Sequence, residues 1–218
     1  VVVTATDLAG AAVSDTFVLT VTNTNDAPTI SSTAVLAATE DAGYTYTVTT
    51  SDVDADDGMT LTGTDVPDWL SFDTSTGVLA GTPLNADVGD HAVVITATDT
   101  AGAAVTDSFT ITVANTNDAP TVATIIADAS TAEDALYSVD ISANFADVDV
   151  GDTLTYAATG MNSVFTMSTA GVLSGTPVNA DVGTYTIAVT ATDVAGVAVS
   201  DTFVLTVTNT NDAPTISS

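Results

Sequence analysis

The sequence predicts an all-β chain of tandem antiparallel Greek-key β-sandwiches of immunoglobulin-like architecture, about seven strands each, set end to end. Three observations carry this. Long motifs recur at a fixed spacing, apolar and polar residues alternate with period two, and clusters of Asp, Gly and Pro cut the alternation into short segments. The stretch Asn-Thr-Asn-Asp-Ala-Pro-Thr occurs at Asn23–Thr29, Asn115–Thr121 and Asn209–Thr215, with starts 92 and 94 residues apart. That period suits a complete small β-domain rather than a solenoid unit.

Other landmarks keep step. Thr-Ala-Thr-Asp stands at Thr4–Asp7, Thr96–Asp99 and Thr190–Asp193. Gly-Val-Leu-(Ala/Ser)-Gly-Thr-Pro stands at Gly77–Pro83 and Gly171–Pro177, and Asn-Ala-Asp-Val-Gly at Asn85–Gly89 and Asn179–Gly183. The frame that follows has the tail of a preceding repeat in 1–26, complete domains in 27–118 and 119–212, and the start of a further repeat in 213–218. Residues 1–32 match 187–218 at 28 of 32 positions but match 93–124 at only 22. An array alternating two kinds of domain explains that difference.

The strands follow from alternation. In Phe109-Thr-Ile-Thr-Val113 the apolar side chains face one way and the threonines the other, and Phe17–Val21 keeps the same set. Tyr44, Tyr46 and Val48 alternate with threonines, and Tyr137, Val139 and Ile141 with polar residues. Met59–Thr64, Trp69–Phe72, Val78–Ala80 and His91–Thr98 complete the first full repeat. No segment has a convincing helical period.

Charge narrows function. The 218 residues include 28 acids, no Lys and no Arg, for a formal net charge of −28. Nucleic acid and anionic membrane are excluded as electrostatic partners. The acids have no basic partner but His91, so they must be screened, tolerated or neutralised by bound cations. Hydrophobic residues make up 45% of the chain, ample for a core, which argues against disorder. There is no Cys, so no disulfide holds the domains. No apolar run approaches the roughly 20 residues of a membrane span, so no membrane insertion is expected in this segment.

The acids are not scattered. The only two glutamates, Glu40 and Glu133, take the same place in each repeat. Asp-Val-Asp follows at Asp52–Asp54 and Asp147–Asp149; in an extended segment both carboxylates of such a pair reach one side. Asp99 and Asp193 end a strand before an Ala-Gly turn, and Asp87 and Asp181 close the Asn-Ala-Asp motifs. Hard oxygen donors from distant points are what Ca²⁺ takes, 6–8 at a time. One His and no Cys argue against zinc or copper. Asp52–Gly58 fails as an EF-hand loop, because its Gly stands at position 7 and Gly63 falls where the closing Glu is needed.

Taken in order, these motifs resemble the cadherin superfamily, particularly the dystroglycan-type cadherin-like repeats of large bacterial surface adhesins. The resemblance covers nearly the whole chain. It implies Ca²⁺ bound where successive repeats join. The central join would use Glu40 and Asp87, then Asn115, Asn117 and Asp118, then Asp147, Asp149 and Asp193. These six carboxylates would serve roughly two or three ions. An earlier join would use Asn23, Asn25, Asp26, Asp52, Asp54 and Asp99, and a later one Glu133, Asp181, Asn209, Asn211 and Asp212. Departures from the family pattern remove charge: Asn85 and Asn115 stand where Asp is usual.

The expectation is therefore a non-enzymatic, calcium-rigidified extender of an adhesin, extracellular or on a bacterial cell surface, whose partners are neighbouring repeats of its own chain. Two alternatives are weighed beside it. One is a calcium-dependent polysaccharide-binding module, for which Trp69 could be a stacking platform, although core packing accounts for Trp69 as well. The other is a repeat that assembles laterally with further copies of itself into a fibre or sheath. No Ser/His/Asp arrangement repeats, so catalysis is not expected. His91-Ala-Val93 is read as part of a strand and nothing more.

Overall fold

The computed structural model describes residues 1–54 and 58–214. Ala55, Asp56 and Asp57, inside the Asp52–Gly58 stretch, and most of the 213–218 opening lie outside the described residues. By contacts the chain falls into two units. The first holds Val1–Leu36, Tyr44–Gly81 and Asp90–Ile111; the second holds Ala37–Gly43, Thr82–Gly89 and Thr112–Ser218. A short edge strand with the loop after it, a second loop and the last strand residues of the first full repeat thus belong to the second unit.

The second unit contains a sandwich built as the alternation requires. One sheet orders the strands Ala129–Ala132, Ala198–Thr208, Gly183–Thr192 and Thr155–Thr159. The other pairs Tyr137–Asp140 with Val172–Gly175, and the latter with Thr166–Met167. Inward residues of both sheets, including Leu173, Ile187, Val189, Phe203, Leu205 and Val207, form one core with Ile141 and Phe165 from the segments beside the strands. Outward positions of the same strands carry Thr184, Thr186, Thr190 and Thr202. The first unit repeats the plan. Met59–Thr64 pairs with Gly89–Asp99, and Tyr44–Thr47 and Leu70–Asp73 flank Val78–Gly81. Leu79, Val93, Ile95, Ala97 and Ile111 are among its most buried residues.

Three features depart from the expected strands. The edge pairs are parallel: Ala129–Ala132 runs with Leu205–Thr208, and Ala37–Ala38–Thr39 with Thr112–Ala114. Parallel neighbours need a long connection, and most of a repeat intervenes here. Single 3₁₀ turns occur at Asn85–Asp87, Ser142–Asn144 and Asn179–Asp181, each too short to leave a helical period in the sequence. Phe17–Val21 is not a strand. Its hairpin, Val2–Thr6 against Ala12–Thr16, ends where pairing ends, and Phe17, Leu19 and Val21 are exposed. In the second unit the same sequence lies on a ten-residue ladder, and its counterparts Phe203, Leu205 and Val207 are buried.

The Gly-Val-Leu-x-Gly-Thr-Pro motif has a backbone explanation. Gly77 and Gly171 have φ of +72° and +92°, which L side chains rarely adopt. At the second glycine the constraint is space. A Cβ on Gly81 would meet the Trp69 carbonyl oxygen at 2.0 Å, and one on Gly175 would meet the Val164 carbonyl oxygen at 2.6 Å. The motif's proline carbonyl then anchors the next loop: Asp41 N–H donates to Pro83 O at 2.8 Å, and Asp134 N–H to Pro177 O at 2.7 Å. Asp41 and Asp134 sit at φ of +57° and +59°, a conformation that Asp tolerates better than most residues.

Gly175→Ala should therefore destabilise the protein by about 1–3 kcal/mol through forced overpacking. Gly43→Ala should be near neutral, since nothing lies within 4 Å of its added methyl. Denaturant melts of the two variants compare these outcomes.

Candidate metal centre

The loop after each parallel edge strand places a glutamate inside. Glu40 follows Thr39, its own N–H donates to Ala114 O at 3.1 Å, and it is only 1% exposed. Its Oε1 accepts the Thr116 N–H; its Oε2 is buried with no hydrogen-bond partner. Glu133 reproduces this at 2% exposure. Its N–H donates to Thr208 O at 3.0 Å, Oε1 accepts the Thr210 N–H at 2.6 Å, and Oε2 has no partner.

In the second unit Glu40 meets other acids. Carboxylate oxygens of Glu40, Asp118 and Asp149 lie within 4.8 Å of one another, as do those of Asp147, Asp149 and Asp152. Asp149, 8% exposed, belongs to both groups. The two aspartates of Asp-Val-Asp converge through a turn rather than an extended strand. Asp147 Oδ1 accepts the Asp149 N–H at 3.0 Å, which leaves Asp147 Oδ2 buried and without a partner. Asp52 and Asp54 do the same in the first unit. Beside the cluster opens a cavity of about 330 Å³ lined by Asn115, Asn117, Asp149, Asp152 and Val194 among others.

Asp152 was not among the sequence-selected residues. Gly151, at φ +87°, turns the chain back so that Asp152 N–H reaches Asp149 O at 3.2 Å. The signal was present in Asp-Val-Asp-Val-Gly-Asp, whose glycine permits the reversal.

The late aspartates do structural work first. Asp193 Oδ1 accepts the Val197 N–H at 2.7 Å and Asp99 Oδ1 accepts the Ala103 N–H at 2.8 Å, closing the Ala-Gly turn. Asp7 closes the third copy in the same way. The other oxygen of each accepts a linker amide: Asn117 on Asp193 at 3.0 Å and Asn25 on Asp99 at 2.9 Å. Neither Asp193 nor Asp99 joins a three-acid group among the described residues. Asp87 and Asp181 cap their 3₁₀ turns by accepting the N–H of Leu84 and Val178. Asp181 also accepts from Asn162 at 2.6 Å.

Linker amides meet the remaining acids. Asn115 donates to Asp149 Oδ1 at 3.2 Å, and Asp118 N–H to Asp149 Oδ2 at 2.8 Å. In the first unit Asn23 and the Asp26 N–H both donate to Asp54, each at 2.7 Å. Asn85 donates to Asp118 Oδ2 at 2.9 Å and Asn179 to Asp212 Oδ2 at 3.3 Å. Asn209 and Asn211 donate to backbone carbonyls of their own stretch.

Hydrogen bonding sets the titration of the late aspartates. Asn117 foremost, with turn N–H groups, holds the Asp193 carboxyl below its ordinary range against the opposing effect of burial; Asn25 does the same for Asp99. Trp69 is half-buried and packs edge-on against Tyr44 and His91, with ring centroids 5.8 and 5.9 Å away. Its counterpart cluster is Tyr137, Phe165 and Tyr185.

The family now follows from comparison. The profile of the "Putative Ig domain" family, He_PIG, matches residues 27–114 and 119–208. The chain belongs to this family. These He_PIG repeats are 37% identical over 161 residues to the "Serine-rich adhesin for platelets" of Staphylococcus aureus strain USA300. That match takes in 73% of the chain and 7% of the relative, or 11% in strain MRSA252. The chain therefore spans a small fraction of the curated relatives it matches. By structure it resembles human mucin-like protocadherin EC1-2, with a TM-score of 0.62 at 17% identity, covering 84% of this chain and 98% of that one. Protocadherin gamma B2 extracellular cadherin domains 1-5 give 0.59 at 17% identity, over 97% and 51%. The He_PIG repeats are thus cadherin-like β-sandwiches of the kind found in adhesins, an extracellular or cell-surface class. No helix among the described residues is long and apolar enough to cross a membrane.

Two outcomes test this centre. In chelator, Glu40→Gln should raise the melting temperature by a few degrees, because it keeps the acceptor for Thr116 while removing a buried charge beside Asp118 and Asp149. Asp193→Asn should lower stability at pH 7. A depressed folded pKa contributes stability above the unfolded value, near 3.9, and loses it as pH falls through the lower folded value. The difference between Asp193→Asn and the parent should therefore shrink below about pH 4, as melts across pH would show.

Proposed function

We propose that this chain is a calcium-rigidified tandem-repeat extender of an extracellular adhesin. Ca²⁺ is held by Glu40, Asp118 and Asp149 and by Asp147, Asp149 and Asp152. The observation that carries this reading is Glu40: a carboxylate 1% exposed, one oxygen without a partner, within 4.8 Å of two more carboxylates. The chain contains no Lys or Arg to neutralise it. A buried charge without a partner costs several kcal/mol, and a divalent cation removes that cost at a site made wholly of hard oxygens.

The donor set fits Ca²⁺. The carboxylates come from separated stretches of chain, and Asn115, Asn117 and backbone carbonyls can complete the shell. The bound ion would supply positive charge, and the chain's own groups do the rest. Glu40 ties the 37–43 loop to the linker through the Thr116 N–H, and Asp149 ties the linker to the Asp-Val-Asp turn through Asn115 and the Asp118 N–H. Sharing an ion among these segments lowers the freedom of residues 115–118. Glu133, Asp181, Asn209, Asn211 and Asp212 repeat part of the set, as do Asn23, Asn25, Asp26, Asp52, Asp54 and Asp99. Domain boundaries at 27–118 and 119–212 belong to the same reading. The extended adhesive role, with neighbouring repeats as first partners, rests on the adhesin relatives and requires no catalytic group.

Calorimetry with Ca²⁺ and Mg²⁺ tests the proposal, with thermal melts in calcium and in chelator. Expected are calcium binding, a higher melting temperature in calcium, and a roughly tenfold or greater loss of affinity in Asp149→Asn. Backbone order parameters of Thr116–Asp118 should rise on binding. A parent protein that neither takes up heat-detectable calcium nor melts differently in chelator rejects the reading.

A further inference from the structure

We propose that the linker asparagines Asn115 and Asn117, with Asn23 and Asn25 in the first unit, are affinity-setting residues: their amide nitrogens close the linker onto the acids when no cation is present, and the same amides must turn their oxygens inward for a cation to bind. The second half rests on the calcium reading above; the first half does not.

The geometry is repeated. Asn115 and Asn23 donate to the second aspartate of Asp-Val-Asp, at 3.2 and 2.7 Å. Asn117 and Asn25 donate to the late aspartates, at 3.0 and 2.9 Å. The linker aspartate's own N–H joins them on both Asp149 and Asp54. The first unit contains neither Glu40 nor Glu133, so this closure needs no buried glutamate.

The chemistry restricts the choice of residue. An ionised carboxylate only accepts hydrogen bonds, so the atom facing it must be nitrogen. Aspartate at the same position would offer no donor and would add charge to an acidic cluster. An amide also carries an oxygen, a ligand type that Ca²⁺ accepts. Rotation about the side chain's terminal torsion, which is broad and roughly two-fold, exchanges the two atoms. Each asparagine can thus serve both states, but cation uptake must break amide–carboxylate bonds that aspartate would never make.

Two further atoms point to a ligand. Glu40 Oε2 is buried without a partner in a side chain 1% exposed. Asn85 already divides its amide: Nδ2 donates to Asp118, while Oδ1 is buried with no donor facing it. Asn85 is thus held with its nitrogen on an acid and its oxygen free.

The test compares the full chain with Asn117→Asp, N115D/N117D and N115A/N117A, each in chelator and in calcium. In chelator, all three variants should exchange the Thr116 and Asp118 amide hydrogens faster than the parent. Protection of the strand Gly183–Thr192, paired on both sides in its sheet, should persist and reports that the fold is intact. In calcium, N115D/N117D should bind roughly tenfold tighter than the parent, since added ligand charge raises affinity, and N115A/N117A should bind more weakly. Unchanged linker exchange in chelator overturns the closing role. A parent that binds calcium while N115D/N117D binds no tighter overturns the affinity role. A parent with no calcium response overturns the reading beneath it, and the chelator arm then decides the closing role alone.

Discussion

An acid with no base to meet it is the constraint on which this molecule turns. The chain carries 28 carboxylates and no Lys or Arg. Most of these charges stay in solvent, where screening over about 8 Å at physiological salt tolerates them. Glu40 and Glu133 do not. Each is drawn inside by a backbone pairing that the fold requires, and each keeps one oxygen for which the protein supplies no donor. The surrounding N–H and amide groups satisfy what they can. The residue of unneutralised charge is what a cation would remove.

The rest of the structure delivers that charge to its place. Glycines that admit a carbonyl overhead let the strands Val78–Gly81 and Val172–Gly175 run close to their neighbours. The prolines that follow accept the N–H of Asp41 and Asp134, which turns the preceding glutamates inward. The Asx turn at Asp147 spends one oxygen on the backbone and leaves the other for the cluster, whereas Asp193 gives one oxygen to its turn and the other to the Asn117 amide. At Asp147 local turn chemistry and candidate ligand chemistry therefore use different atoms of the same carboxylate.

Much of this was legible in the sequence. Alternation placed the strands, because one buried face demands period two. The scarcity of Glu against Asp marked positions 40 and 133, and each of these side chains reaches from the end of its edge strand to a linker N–H. Three things were not legible. Asp152 enters the cluster only because Gly151 reverses the chain, and a two-residue spacing rule does not see a turn. The convergence of Asp147 with Asp149 looked like strand geometry but arises from a side chain capping its own turn. The amide–carboxylate bonds of Asn115 and Asn117 join residues up to 76 apart in sequence, and spacing alone cannot distinguish an amide that donates from one that ligates.

The most direct test is a crystal structure of the full chain grown in calcium, with anomalous scattering used to locate ions. The account predicts a peak bonded to carboxylate oxygens of Glu40, Asp118 and Asp149 at about 2.3–2.6 Å, with Glu40 Oε2 among its ligands. A site filled only by water, with those carboxylates in the same positions at saturating calcium, would contradict it.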